Sequence, residues 1–570
     1  SSMIKYKISY KFPHRHFIDF ELSTKTNNQK KVVFQLPAWR PGRYELANFA
    51  QNIQKWQAFD ENGNTLIFRK KTKDLWEVDT DSAKEIIIKY NYYANQLDAG
   101  ACYLDELQLY INPVHCCFYI PSRINEEYLL EFDIPKNYDI ASAVKSIDNN
   151  IYISGFDALA ENPIICSANL KKEIFNVEGV IFYIWFQGWK KPNWKKIKND
   201  FKSFIISQIN HFGSFPVKEY HFLFQITPYR SYHGVEHSNN TVILLGPDTE
   251  IDGKYYNDLL GVSSHELYHT WNIKSIRPIE MLPYDYSKEN YFKTGFVAEG
   301  VTTYMGDLML YNSNVFSWKE FLATQNKNLE RHIINSGRFN LSVADSGFDS
   351  WLDGYKLGIP NRKVSIYADA ALCMLMIDLT IINYSNGKNS LHDVMKELYL
   401  EYGIKKKGYS EQDFKNICLK YGNSETNDVF TNHIYNTKDY IPNLNKYLDY
   451  VGMELSVKSH SSKTAKYFGF ITQYLNNKHI IKLIELDSEI DLNGVSVEDE
   501  LLLIDGKKVK HPIIKSLENL KSKTKLTFKN KFKKFSLDLS LENKYFELLE
   551  FKKMNTANSK QIKMREKWLS

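Results

Sequence analysis

The residues in this chain best suited to chemistry are the pentad His265-Glu266-Leu267-Tyr268-His269 and, 29 intervening residues later, Glu299. On a helix, positions four apart share one face, so the two imidazoles can grip a single ion while the glutamate between them approaches its open side. Glu299 would complete a two-histidine, one-carboxylate set that leaves a fourth position for water. That is the pattern of a catalytic zinc site and not of a structural one. One Zn2+ per chain is therefore expected on His265, His269 and Glu299. Glu266 would be the general base, taking a proton from the attacking water and delivering it to the leaving amine.

These side chains need elements to hold them. Residues 257–274 contain no proline, and with Leu259, Leu260 and Val262 leading into the pentad they read as one helix. A second helical stretch, 296–311, carries Glu299 near its start. Ahead of the pentad come a strand (180–186), a helix (194–212) and two more strands (220–227 and 241–245). Beyond it the pattern is mainly helical to about residue 440, including 369–382 and 390–402. A small sheet leading into a helical lobe, with the metal helix between them, is the layout of thermolysin-like peptidases, in which substrate lies across the sheet's edge.

From 3 to about 175, short bursts such as 31–36 and 85–90 alternate apolar and polar residues, with turns such as Glu61-Asn62-Gly63-Asn64 between them. This predicts an antiparallel sandwich that is structural or walls one side of the cleft, and it contains no catalytic constellation. Strand patterns return at 468–474, 479–485, 500–504 and 525–528. The fold class expected is multidomain α+β. Its divisions are an N-terminal β-sandwich (1–175), a thermolysin-like catalytic domain (176–442), a PDZ-like domain (443–545) and a polar tail (546–570), helical or disordered.

Composition excludes other classes. Hydrophobic content of 43% and charged content of 25% are those of a soluble globular protein. Net charge is only +6, and the lysine clusters at 190–198 and 515–534 lack the interleaved stacking aromatics of single-strand binders, so no nucleic-acid partner is expected. The longest apolar run, 370–382, is too short for a bilayer and is broken by Asp378, which predicts a buried helix and no membrane partner. Cys102, Cys116, Cys117, Cys166, Cys373 and Cys418 show no metal-ligand spacing and read as buried thiols, with Cys116 and Cys117 on opposite faces of a strand. After Ser1-Ser2, the start Met3-Ile4-Lys5-Tyr6 is a strand pattern instead of a leader. The expected location is cytoplasmic, or periplasmic or secreted if a leader was trimmed. No pattern bears on oligomeric state.

Together, His265-Glu266-Leu267-Tyr268-His269-Thr270-Trp271-Asn272, Arg277-Pro278, Phe296-Val297-Ala298-Glu299-Gly300-Val301-Thr302 and the N-terminal Pro37-Ala38-Trp39-Arg40-Pro41-Gly42-Arg43-Tyr44 resemble the glycyl aminopeptidase family of gluzincin zinc peptidases. The resemblance covers nearly the whole chain. It implies an N-terminal sandwich, a thermolysin-like catalytic domain and a C-terminal PDZ domain. It also implies that Tyr367 donates a hydrogen bond to the transition-state oxyanion, although the Lys-Gly step that follows such a tyrosine in related enzymes is here Asp369-Ala370. The segment His233-Gly234-Val235-Glu236-His237 resembles the family's substrate-binding strand edge. There Gly234 and His237 would meet substrate and Glu236 would bind its free amine, with His233 standing in place of a usual glycine. Thr303 or Asn272 would support the metal-bound imidazoles.

Asp491-Leu492-Asn493-Gly494 and Asp499 to Lys507 resemble a bacterial PDZ domain, with Asp505-Gly506 as a tight turn. Tyr467-Phe468-Gly469-Phe470 stands where that family binds a peptide's C-terminal carboxylate. Tyr467 itself and Glu498-Asp499 depart from the usual pattern. The expected function is a zinc-dependent peptidase, acting on peptide substrates as an aminopeptidase that releases small N-terminal residues such as Gly or Ala. The alternatives are an endopeptidase on the same fold and a degenerate peptidase that binds peptides through the PDZ-like groove. Asp369-Ala370 is the feature that favours the last.

Overall fold

The computed structural model describes residues 3–570. The N-terminal region is rich in sheet. Six strands lie in the order Asn150–Ser154, Glu127–Phe132, Met3–Ser9, Phe17–Lys25, Glu85–Tyr93 and Ile53–Asp60. Their alternation is the one the sequence carries: Met3–Ser9 buries Ile4, Tyr6 and Ile8 and turns the residues between them outward. The sheet is not wholly antiparallel as expected, because Met3–Ser9 pairs with Glu127–Phe132 in parallel. More than a hundred residues, which include the whole of a three-stranded sheet, separate those strands, so the chain has room to return in the same direction. The additional sheets are three-stranded (Phe68–Thr72, Leu75–Asp79, Lys31–Gln35) and four-stranded (Asp139–Ala141, Ile164–Ser167, Gln108–Ile111, Tyr103–Leu104). Cys116 corrects a second expectation: it closes the short helix Pro113–Cys116, and Cys117 follows it, so the pair is not on a strand. All six thiols are free and buried.

A five-stranded sheet follows, ordered Lys171–Val177, Val180–Gln187, Glu219–Ile226, Asn240–Gly246 and Ser231–Glu236. The middle three strands run parallel, and Ser231–Glu236 is an antiparallel edge. One face packs on the helix Trp194–Phe212, where the Phe201 and Phe222 ring centroids lie 5.0 Å apart. The other face meets the N-terminal four-stranded sheet through Tyr110, Ile165, Trp185, Leu223 and Val242. Burial on both faces explains why Glu219–Ile226 and Asn240–Gly246 read as near-continuous apolar runs.

The helical lobe brings together the pentad helix Tyr256–Tyr268, the helix Thr302–Asn312 and the apolar helix Ala368–Tyr384. The pentad helix stops at Tyr268 instead of running to 274. From His269 the chain turns back, so that the Asn272 carbonyl faces the His269 ring and Lys274 reaches Glu161. The apolar helix is buried along nearly its whole length; its Asp378 accepts hydrogen bonds from the Leu391 amide (2.9 Å) and the Tyr304 hydroxyl.

The C-terminal sheet, Phe470–Leu475, Lys478–Ile484, Glu500–Ile504, Lys523–Lys529 and Lys534–Ser540, with Lys507–Lys508 beside Glu500–Ile504, has its own core around Phe468, Phe470, Leu501, Leu526 and Phe528. Past it, the stretch expected to be helical or disordered forms a strand, Leu548–Lys553, paired with Met453–Lys458, and a helix, Ser559–Leu569. That helix docks on the lobe, where the Trp568 indole donates to the Tyr304 hydroxyl at 2.8 Å. Among the described residues no helix is long and apolar enough to cross a membrane.

Candidate metal centre and substrate edge

His265 and His269, one turn apart on the pentad helix, face each other with their Nε2 atoms 3.1 Å apart. Glu299 comes from a π-helical turn, Phe296–Val301, that leads directly into Thr302–Asn312. Such turns add a residue to the helical repeat and re-aim a side chain, here toward the pentad. The Oε2 of Glu299 is 3.4 Å from the Nε2 of both histidines. The Ser264 hydroxyl fixes the crossing of the two helices by donating to the Gly306 carbonyl at 2.6 Å.

The site is dry on one side. The side chains of His269 and Glu299 are 1% and 2% exposed, whereas His265 is 19% exposed and marks the open side. The Nδ1 of His269 lies 2.7 Å from the Asn272 carbonyl oxygen, which keeps a proton on Nδ1 and leaves Nε2 as the nitrogen that would coordinate once an ion displaced its proton. Asn272 was expected in this supporting role, and it acts through its backbone carbonyl; its side chain instead binds the Val297 carbonyl and the Thr302 hydroxyl. Thr302, and not the expected Thr303, lies beside His269, at 3.5 Å.

Three carboxylates crowd this pocket: Glu236, Glu266 and Glu299. Burial, with the Glu236 carboxylate beside it, pushes Glu266 well above the ordinary carboxylate range. Burial would likewise lower the basicity of His269, but Glu236 and Glu299 outweigh it and hold its pKa up at about 10. Burial would raise Glu299, and the neighbouring His269 and His265 overcome that to bring it down to about 2. One oxygen each of Glu236 (Oε1) and Glu266 (Oε2) is buried without a hydrogen-bond partner. Concentrated negative charge, unpartnered oxygens and facing imidazole nitrogens suit a divalent cation. Two overlapping donor groups lie within 4.8 Å: His265, His269 and Glu299, and Glu236, Glu266 and His269. The pair of imidazoles makes the first group the better match to a borderline-soft ion.

Glu236 ends the edge strand Ser231–Glu236; it is 3% exposed, with Oε2 3.7 Å from the His269 Nε2. Gly234, two residues earlier, faces Glu266: a methyl group on Gly234 would sit 2.6 Å from the Glu266 Oε1. His237 behaves differently from its neighbours. Its Nδ1 lies 3.0 Å from Glu161, and that carboxylate also binds the Lys274 ammonium at 2.7 Å. Burial would raise the Glu161 pKa, but Lys274 and His237 hold it far below the usual range. His237 thus belongs to a buried cluster that anchors the root of the edge strand. His233 reaches out of the strand to Asp98 of the N-terminal region, 2.5 Å away.

Tyr367 stands immediately before the apolar helix, its ring 6.4 Å from that of His265. Burial and the Glu299 charge keep its hydroxyl protonated, as a hydrogen-bond donor must be. The altered residue after it has a definite place: Asp369 accepts from the Ser365 amide at 2.8 Å and lies 2.5 Å from the His332 Nδ1.

Sequence reasoning missed what the N-terminal region contributes. Tyr44 places its hydroxyl 3.4 Å from the Glu299 Oε1. Gly42, at φ +96°, lets the backbone pass Glu236 where a side chain would lie 2.9 Å from its Oε1. Arg40 is 3% exposed and its Nη1 has no partner. All three lie in the Pro37 to Tyr44 segment, whose chemistry-bearing residues were the available signal. The region therefore does more than wall the cleft. Tyr355, whose hydroxyl accepts from the Tyr44 amide at 3.3 Å, had no such signal in the sequence.

A two-histidine, one-glutamate pocket, open on the His265 side, with a further buried carboxylate beside a sheet edge defines a metallohydrolase type of site. Comparison with known families carries this further. Residues 5–168 match the model of the Peptidase M61 N-terminal domain, and residues 258–373 match that of the M61 glycyl aminopeptidase. Over these two segments the chain belongs to the M61 peptidase family, as the resemblance implied. No curated protein matches it. Among solved structures it is similar to an aminopeptidase N family protein from Idiomarina loihiensis, at 23% identity over 100% of both chains with a TM-score of 0.90, so the fold is shared from end to end. It also matches an M1 zinc metallopeptidase from Deinococcus radiodurans at 11% identity, over 77% of this chain and 94% of that one, with a TM-score of 0.46.

Proposed function

We propose that this chain is a zinc-dependent aminopeptidase that releases small N-terminal residues, with His265, His269 and Glu299 as the metal ligands. Glu236 carries the aminopeptidase reading: it is a buried carboxylate with one unpartnered oxygen, set where a sheet edge meets the metal pocket. Bound zinc would supply Lewis acidity toward the scissile carbonyl and make water a better acid.

The chain's own groups then have separable tasks. The edge strand Ser231–Glu236 aligns the substrate backbone, and Gly234 leaves room for both substrate and Glu266. Glu236 pairs with the α-ammonium and so measures one residue to the reacting bond. Glu266, whose proton affinity is raised by burial and by Glu236, takes a proton from the attacking water and returns it to the leaving amine. Tyr367 donates to the oxyanion. The C-terminal sheet is read as a PDZ-like module. Its support is the Tyr467-Phe468-Gly469-Phe470 turn, which closes at Gly469 with φ +79°, and the Asp505-Gly506 turn between paired strands.

The test compares a free peptide with its N-acetylated form, alongside Glu266→Gln. Acetylation should abolish cleavage, and Glu266→Gln should retain zinc while losing hydrolysis by about a hundredfold or more. Equal cleavage of the acetylated peptide would leave an endopeptidase. Zinc binding without hydrolysis of any peptide by the wild-type protein would leave a peptide-binding protein.

A further inference from the structure

A cleft of about 820 Å3 lies between the helical lobe and the C-terminal sheet. Its lobe wall runs along residues 354–367 and includes Tyr355 and Tyr367. Its far wall is Lys482, Leu483, Ile484 and Leu486, with Val495 to Val497. We propose that this cleft holds the downstream part of a peptide whose N-terminal residue lies at the metal centre, and that it favours peptides acidic in that part. The proposal rests on the peptidase reading and deepens it by naming a substrate class.

Continuity is the first argument. Tyr367 faces His265, and Tyr355 binds the Tyr44 backbone, while Tyr44 itself contacts Glu299. The same two tyrosines line the cleft. A chain leaving the metal centre on its open side therefore passes directly between the two walls.

Size and lining are the second argument. The volume falls in the range of about 300–1,000 Å3 usual for ligand sites, far more than one released residue requires. Leu357, Ile359 and Leu486 are 59%, 65% and 49% exposed, apolar surface that a soluble protein ordinarily covers. None of the carboxylate-loop residues 467–470 lines the cleft, so this is a different surface from the PDZ-like groove.

Charge is the third. Of the basic residues lining the cleft, Arg362 and Lys363 are paired with Asp349 and Asp353. Among the described residues Arg331, Lys356 and Lys482 have no ion-pair partner; the acidic lining residues are Asp369, bound to His332 and Ser365, and Asp491. The unpaired excess is positive, which complements carboxylates along a peptide or at its C-terminus.

The test uses the full-length, zinc-loaded protein and two families of peptides that share an N-terminal alanine: a tripeptide, and nonapeptides with either aspartates or lysines in their last five positions. The variant is Lys356→Glu/Lys482→Glu, at exposed positions outside the metal pocket. The acidic nonapeptide should have a KM about tenfold below that of the tripeptide, at similar kcat. The variant should erase that advantage, leave the tripeptide unchanged and improve the lysine-rich nonapeptide. Fluorescence anisotropy of a labelled acidic nonapeptide reads the same loss without turnover. Equal affinity of wild type and variant for it, or equal KM for long and short peptides, overturns the inference. Anisotropy that responds to the variant while even the tripeptide resists cleavage sustains the cleft and overturns the peptidase reading instead.

Discussion

Gly234 and Glu266 adjoin: the proposed general base lies against the edge strand, where a methyl group on Gly234 would come within 2.6 Å of its Oε1 and 3.0 Å of its Cγ. The strand that would carry substrate and the carboxylate that would move the proton are thus set in register by the absence of one side chain. Gly234→Ala cannot be accommodated without displacing the Glu266 carboxylate, since 2.6 Å is well inside contact distance. It should lower kcat by about a hundredfold, the scale of a misplaced general base, while zinc stoichiometry stays that of wild type. Steady-state kinetics beside metal analysis checks this, and an unchanged kcat would show that the base does not work from its observed position.

Tyr44 extends the metal pocket across the junction with the N-terminal region. Its hydroxyl donates to Glu299 at 3.4 Å, a long hydrogen bond that steadies the carboxylate's orientation. Tyr44→Phe keeps the ring packed on Phe292 and removes only that bond. Zinc affinity should fall about ten- to a hundredfold, as is usual when the partner of a ligand is lost. A competitive chelator titration measures it. Wild-type affinity in Tyr44→Phe would make the contact incidental.

Tyr367→Phe separates binding from transition-state stabilisation. The segment that enters the apolar helix places the Tyr367 ring 6.4 Å from that of His265. Removing it should cut kcat by about a hundred- to a thousandfold with KM nearly unchanged, the signature of an interaction made only in the transition state. Parallel losses in kcat and zinc content would instead mark Tyr367 as part of the pocket's frame.

The pattern of success in reading the sequence follows from range. His265, Glu266 and His269 are local: helical periodicity alone puts both imidazoles on one face, and the structure has them 3.1 Å apart. Glu299 is nearly as legible because its helical stretch is continuous, though the π turn that aims it has no sequence period of its own. The three parallel strands were legible as strands at 180–186, 220–227 and 241–245, close to their bounds in the structure. Tyr44 and Arg40 were not read as site residues because what places them there, Glu299 for Tyr44 and Glu236 for Arg40, lies more than 190 residues away, and nothing local distinguishes them from packing residues. The parallel pairing of Met3–Ser9 with Glu127–Phe132 was hidden for the same reason, since alternation specifies which face is buried but not which strand lies alongside. In the C-terminal tail the helix was one of the two expectations and forms at Ser559–Leu569, docked by Met564 and Trp568, whereas the strand Leu548–Lys553 was missed because its partner, Met453–Lys458, lies some ninety residues earlier.

Asp378 offers a test of the lobe's stability away from the metal. It is fully buried in the apolar helix, and burial raises its pKa from the ordinary 3.8 to about 6, with the Leu391 amide and the Tyr304 hydroxyl working against that rise and Asp393 adding slightly to it. A carboxyl that binds its proton more tightly when folded contributes most stability below its unfolded pKa, and loses that contribution as pH rises toward 6. Above that range the ionised group costs roughly 3 kcal/mol relative to its protonated form, taking about 1.4 kcal/mol for each unit of the rise. Asp378→Asn cannot ionise, and its amide oxygen can still accept from Leu391. The difference in Tm between Asp378→Asn and wild type should therefore move in favour of the variant between pH 4 and pH 7 and then level off, whatever fixed cost the altered bond to Tyr304 adds. Calorimetry across that range reads the slope directly, and a difference that stays constant with pH would mean that Asp378 folds with an ordinary pKa.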